Sequence, residues 1–232
     1  MFYSDSSKEN FLKWEKEAER GDNPLLAEWV NLAQNSWEMI ALFGRDRYAW
    51  EKRFQEQLSN LESSPFTARQ RLVQKYSWAI PCDEALDEIA KYSPIIEMGA
   101  GTGYWASLLE ARGAKVSAFD ISPPGCYKND WHGETKRCFT NVIEGSVENL
   151  NADTLFLCWP PYGGRLAYDS LINSRSNVVI YIGEGQGGCT GDDDFYEHLE
   201  ANFEQIKEID IPQFEGLHDY LTVWRRNVQV AI

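Results

Sequence analysis

The sequence predicts an α/β fold, a doubly wound and mostly parallel sheet behind a helical N-terminal segment. Three observations carry this. Short apolar runs at 95–98, 115–120, 141–145, 154–158 and 177–182 read as strands, and helical patterns separate several of them. The first run passes directly into Gly99, Gly101 and Gly103, after which Ala106, Leu108 and Leu109 begin a helix. The second run, Lys115-Val116-Ser117-Ala118-Phe119-Asp120, ends in an acid 17 positions beyond Gly103. Strand, glycine turn, helix and acid-terminated strand form the unit around which the rest is organised.

Composition narrows the function. A chain of 232 residues can bury a sizeable core, and its charged fraction of 25% is that of a globular protein. With 36 acidic against 22 basic residues, the formal net charge is −14. A surface for duplex nucleic acid would need a local basic patch against that background. The nearest candidate, Arg69, Arg71 and Lys75, reads as a solvated helix face. The five cysteines are scattered, without metal-site spacing, and no secretory signal precedes them, so a reduced cytoplasmic compartment is expected. No apolar run reaches the ~18 residues of a membrane span. Residues 1–10 are polar and expected to be loose.

Glycines at 99, 101 and 103 permit positive φ and leave no Cβ in the way, so a ligand can approach the backbone. The N–H groups of the following helix start point at the same place. The order Glu97-x-Gly99-x-Gly101-x-Gly103, closed by Asp120, resembles the cofactor-binding signature of class I S-adenosylmethionine-dependent methyltransferases. A dinucleotide oxidoreductase would show Gly-x-Gly-x-x-Gly instead. The resemblance is specific over residues 93–124, extends to about 226, and does not reach the N-terminal third.

The resemblance implies a seven-stranded, mostly parallel sheet with an antiparallel last strand, and S-adenosylmethionine as cofactor. It assigns cofactor contacts to Glu97, Gly99, Ala100, Gly101 and Gly103. It places Asp120 on the ribose hydroxyls, with Ile121 beside it. In the family an acid and a small or apolar residue meet the adenine after the third strand. Here Ser146 and Val147 stand at that place, Ser146 in the position of the acid.

In chain order, residues 11–61 are rich in helix formers and aromatics. Trp37, Ile40, Phe43, Trp50, Phe54 and Leu58 follow a roughly helical spacing broken near Gly44. Residues 1–75 are therefore expected to form a helical cap, and 76–232 the cofactor-binding domain. Glu62-Ser63-Ser64-Pro65 interrupts the helical pattern, Thr67 to Lys75 resumes it, and Asp83 to Ala90 follows as another helix. Between them lies Tyr76-Ser77-Trp78-Ala79-Ile80-Pro81. In the family this segment often covers the cofactor's methionine arm. Tyr76 and Trp78 either do that or staple the cap to the sheet.

After Asp120 no helical stripe is visible before the third strand, Asn141 to Gly145. The fourth, Thr154 to Cys158, runs into Trp159-Pro160-Pro161-Tyr162. This resembles the Pro-Pro-Tyr element of amino-directed methyltransferases, whose preceding Asn, Asp or Ser holds the target nitrogen. Trp159 departs from that pattern, because an indole N–H donates but cannot accept. The backbone around Trp159 and Pro160 is expected beside the cofactor. A fifth strand, Asn177 to Ile182, leads into the glycine-rich stretch 183–191, expected as a substrate wall or lid. Asp192-Asp193-Asp194 reads as a helix cap rather than a cation site, and no metal is expected. Residues 203–211 and 218–224 close the pattern as two strands joined by a turn. His132 and His218 read as packed or surface residues.

The expected function is methyl transfer from S-adenosylmethionine to a small molecule at oxygen or nitrogen. Tyr162 and Glu184 sit at the strand ends flanking the expected methyl position, as candidates for orienting the acceptor or removing its proton. Two alternatives stay open: an amino-directed methyltransferase of protein or nucleic acid, and a non-catalytic protein on the same fold.

Overall fold

The structure is a computed structural model that describes residues 5–33, 65–125, 131–133, 135, 137–145 and 153–227. The expected helix over 36–61, Cys126, Ser146 and Val147 lie outside the described residues. The described elements run α1 (Asp5–Ala18), α2 (Pro24–Ala33), α3 (Pro65–Lys75), α4 (Asp83–Ala90), β1 (Ile95–Met98), α5 (Tyr104–Ala111), β2 (Val116–Asp120) and β3 (Val142–Glu144). They continue with β4 (Thr154–Cys158), α6 (Leu166–Ser174), β5 (Val178–Gly183), α7 (Asp193–Asn202), β6 (Phe203–Asp210) and β7 (Tyr220–Arg226).

The strands form one seven-stranded sheet in the order β3-β2-β1-β4-β5-β7-β6. Strands β1 to β5 pair in parallel, and β7 runs antiparallel between β5 and β6. The fold class is the one expected, with the antiparallel last strand in place. Strands β1, β4 and β5 are nearly continuous apolar runs because helices cover both faces of the sheet. Ile95, Phe156, Ile180 and Val223 pack against α4 and α5 on one face. On the other face Met98, Leu155, Leu157 and Val179 meet α6 and α7. Between β2 and β3 the described residues contain no helix.

Helices α1, α2 and α3 share a third core. Phe11, Leu25, Trp29, Leu72 and Val73 close around Tyr76, Tyr104 of α5 and Phe214. Pro24 opens α2 where its missing N–H costs nothing, and Asn23 caps the helix by accepting from Leu26 N–H at 3.1 Å. Tyr104 ties this helix start to the sheet: its hydroxyl donates to Asn23 Oδ1 at 2.8 Å and accepts from Leu25 N–H at 3.1 Å. At the start of α4, Asp83 holds Arg20 and Arg112 at 2.7 and 2.6 Å, and its N–H donates to Glu17 Oε2 at 2.9 Å. No described helix is long and apolar enough to cross a membrane.

Candidate functional site

The chain leaves β1 towards β2 and β3, then returns to β4 on the other side of β1. Loops on opposite sides of such a reversal diverge and leave a crevice at the carboxyl ends of the strands. Here that crevice is a cavity of about 610 Å³. Its walls are Glu97 to Gly101, Asp120 to Ser122, Trp159 to Pro161, and Tyr76 to Trp78 from above.

The glycine turn lies on the floor. Gly99, Gly101 and Gly103 take φ of +75°, +53° and +70°. At Gly101 a Cβ would stand 2.2 Å from His132 Nε2, so no side chain fits there without moving the imidazole. Gly103 does not line the cavity: it is the left-handed residue that starts α5, and a Cβ on it would meet Val142 Cγ2 at 2.8 Å. Thr102 fastens the turn to the segment that follows α3 by donating its hydroxyl to the Tyr76 carbonyl.

Asp120 at the end of β2 organises this turn. One carboxylate oxygen accepts from Gly101 N–H at 2.8 Å and the other from Ser122 N–H at 2.8 Å. Each oxygen has a second lone-pair direction left for a ligand hydroxyl. Ile121, 77% exposed, stands at the rim.

Glu97 is the most unusual group. Its carboxyl is buried in the sheet, with the Ala106 N–H as a hydrogen-bond donor to it, while Oε2 has no partner in the structure. Burial lifts its pKa to about 8, which the Ala106 N–H opposes and the nearby Asp120 charge reinforces. A buried carboxyl with one unsatisfied oxygen is stable neutral, or charged beside a cation.

Tyr76 and Trp78 both line the cavity, and Tyr76 is also a staple. Its hydroxyl donates to Glu28 of α2 at 2.7 Å, and its ring stacks on Phe139 with centroids 5.6 Å apart. Trp78 stacks on Trp159 at 5.7 Å and 26°.

Trp159 has φ of +53°, a conformation that costs an L-residue on the order of 1–2 kcal/mol. It turns the chain from β4 into Pro160 and Pro161. Its indole N–H donates to Asp219 Oδ2 at 2.8 Å, while Asp219 Oδ1 has no partner. Burial raises the Asp219 pKa to about 6, although the Trp159 N–H opposes the rise. Trp159→Phe keeps an aromatic ring but leaves both carboxyl oxygens unsatisfied. The variant is expected to lose about 1–3 kcal/mol of stability, read by denaturant unfolding.

A second cavity of about 380 Å³ adjoins the first. The two share Trp78, Trp131, Trp159 and Pro161. Tyr162, half exposed, lines this second cavity, as does Cys189 from the glycine-rich loop. That loop is tied to the Pro-Pro turn by an isolated bridge between Pro161 and Thr190, and Gly191 N–H donates to the Pro160 carbonyl at 2.9 Å.

Glu184 lies elsewhere than the sequence suggests. It lines neither cavity. One oxygen accepts from Cys189 N–H at 2.8 Å and the other from His218 N–H at 3.1 Å, so the carboxylate holds the loop to the β7 approach. Burial alone would raise its pKa, but these N–H donors outweigh it and the net shift is downward. Asp192 caps α7 by accepting from Phe195 N–H at 3.0 Å, as expected of the Asp run, and Asp194 pairs with Arg165 at 2.8 Å.

Contributors not read from the sequence as site residues include Trp131, His132 and Arg69. His132 lies over Gly101 in the first cavity, its pKa lowered by burial against the pull of Asp120 and the Gln74 carbonyl. It comes from a stretch without periodicity, which offers no local signal. Arg69 was expected on a solvated helix face with Arg71 and Lys75. Only the latter two are exposed, Lys75 pairing with Glu28 at 2.8 Å. Arg69 lies half-buried, with Trp78, Trp159 and Phe214 ring centroids at 5.4, 5.8 and 5.7 Å. A signal for this exists: Arg69, Leu72, Val73 and Tyr76 stand at i, i+3, i+4 and i+7, the spacing of one helix face.

No protein-family model matches the chain, and no curated protein does. Among solved structures, the magnesium protoporphyrin IX methyltransferase of Synechocystis PCC 6803, with bound SAM, aligns over 74% of this chain and 90% of its own. The identity is 11% and the TM-score 0.47. Protein 1320 of Thermoplasma acidophilum aligns over 69% of this chain and 94% of its own, at 23% identity and a TM-score of 0.45. The Pyrococcus abyssi tRNA (uracil-54, C5)-methyltransferase, in complex with S-adenosyl-L-homocysteine, aligns over 61% and 37%, at 17% identity and a TM-score of 0.40.

Proposed function

We propose that the chain is an S-adenosylmethionine-dependent methyltransferase acting on a small molecule at oxygen or nitrogen. In this proposal residues 1–75 form a helical cap over a cofactor domain of 76–232. The observation that supports it is the buried Glu97 oxygen without a partner, set in one cavity with the positive-φ glycine turn and Asp120. That set fits the cofactor group by group. Glu97 would receive the ammonium group of the methionyl arm, with Tyr76 and Trp78 against the arm itself. The Gly99 to Gly101 backbone admits close approach, and Asp120 keeps lone pairs for the ribose hydroxyls.

S-adenosylmethionine supplies a methyl group on a sulfonium carbon, an electrophile already activated. What remains for the chain is alignment and exclusion of water. Trp78 and Trp159 wall the junction of the two cavities and do both. Tyr162 is placed in this proposal to orient the acceptor. An amino-directed reaction at the Pro-Pro-Tyr element is disfavoured, because Trp159 spends its N–H on Asp219 and offers no acceptor.

Calorimetry with S-adenosylhomocysteine is the direct test. Wild type is expected to bind, and Asp120→Ala to bind about 1.5–3 kcal/mol more weakly. Absence of wild-type binding would sink the proposal. For Tyr162, once an acceptor is in hand, Tyr162→Phe is expected to lower turnover with cofactor affinity unchanged. Normal turnover in both Tyr162→Phe and Tyr162→Ala would remove Tyr162 from the acceptor site.

A further inference from the structure

The second cavity combines features that select a ligand. Its walls are aromatic: Trp78, Trp131, Trp159 and Tyr162, with Leu217 completing the apolar lining. Trp131 stands edge-on to Trp78 at 71°, while Trp159 lies nearly parallel to Trp78, so the rings present both faces and edges. Such walls take a flat, polarisable ring in stacked or edge-on contact. At about 380 Å³ the cavity lies near the small end of ligand clefts, which suits one or two fused rings rather than a polymer.

Among the described residues that line it, the one cation is Arg69. The guanidinium lies against Trp78, Trp159 and Phe214, and among the described residues no carboxylate comes within ion-pair distance. Its buried Nε has no hydrogen-bond partner. Burial lowers its pKa, which the more distant Asp219 and Glu184 oppose through their charge. Guanidinium stays charged in proteins. A half-buried charge with no carboxylate in direct contact is costly, and a planar carboxylate satisfies it with paired, charge-assisted hydrogen bonds. In a chain of net charge −14 this cation accommodates one carboxylate, not a polyanion.

We propose that the second cavity binds a small planar aromatic carboxylate, its ring against the tryptophans and its carboxylate on Arg69. The proposal deepens the methyltransferase proposal and rests on it in one respect, that the ligand is the methyl acceptor. The shared walls Trp78, Trp131 and Trp159 put such a ligand next to the cofactor cavity.

The test uses three probes on the full chain by calorimetry, with and without S-adenosylhomocysteine: 2-naphthoate, 2-naphthamide and cyclohexanecarboxylate. The naphthoate is expected to bind at least tenfold tighter than either of the others, because one lacks the charge and the other the aromatic ring. Arg69→Gln should abolish the preference for acid over amide, and Arg69→Lys should retain it. Equal affinity for acid and amide in wild type would overturn the proposal, as would a preference that survives Arg69→Gln or disappears in Arg69→Lys. The wild-type comparison needs no variant, so misfolding of one cannot leave the matter open. If S-adenosylhomocysteine binds and naphthoate does not, this inference falls and the cofactor proposal stands. If naphthoate binds and S-adenosylhomocysteine does not, the cavity keeps its ligand class and the methyltransferase assignment falls.

Discussion

Gly101→Ala is expected to weaken S-adenosylhomocysteine binding by more than about 100-fold while the protein stays folded. Two costs combine at this residue. An L-side chain at φ of +53° is strained by roughly 1–2 kcal/mol. The added Cβ would also stand 2.2 Å from His132 Nε2, so the imidazole has to leave the floor or the turn has to shift. A shift moves the Gly101 N–H away from Asp120, and the residue expected to hold the ribose loses its orientation. Gly113→Ala is the control, since Gly113 has φ of +83° with nothing within 4 Å of its missing Cβ. Gly113→Ala should lower the melting temperature by a few degrees, at roughly 2–4 °C per kcal/mol, and leave binding intact. Similar binding losses in both variants would reduce the Gly101 effect to backbone strain.

Cofactor binding near pH 7 is expected to release about one proton from Glu97. With a pKa of about 8, the free protein holds this carboxyl protonated at pH 7. An ammonium group arriving beside Oε2 favours the carboxylate and expels the proton. Calorimetry with S-adenosylhomocysteine in phosphate and in Tris should therefore give enthalpies that differ by the difference between the two buffers' ionisation enthalpies times about one proton. Glu97→Gln should remove that difference and weaken binding by about 3 kcal/mol or more, as for loss of a buried ion pair.

The same group sets a stability trend in the free protein. Its folded pKa lies above the unfolded value near 4.5, so the folded state holds the extra proton between those two pH values. Stability from this group is therefore fully present below about pH 4.5 and is lost progressively as the pH rises to about 8. Glu97→Gln should flatten that part of the stability profile. A wild-type profile as flat as the variant's would show that Glu97 titrates normally.

Local signals sufficed for the parts of this molecule that a short stretch of chain creates. The run Ile95 to Trp105 specifies a strand, a turn that only glycines adopt without strain, and a helix start, all within one segment. Asp120 was legible because a strand of set length places its last residue beside that turn, where it accepts the Gly101 N–H. The Asp192 cap was legible for the same reason, its partner being three residues away. The closing strand pair was legible as two strands joined by a turn, with β7 antiparallel as the family resemblance implied.

Side-chain destinations across the fold needed the tertiary structure. Glu184 follows a strand end, like an acid facing substrate, yet its oxygens meet N–H groups 5 and 34 residues away. Trp159 occupies the polar position of a Pro-Pro-Tyr element and gives its N–H to Asp219, 60 residues on. His132 reaches Gly101 from a loop without periodicity, and Arg69 leaves its basic neighbours to lie over three rings from different segments. Periodicity tells which face of an element is inward. What that face meets depends on long-range packing, which no local pattern encodes.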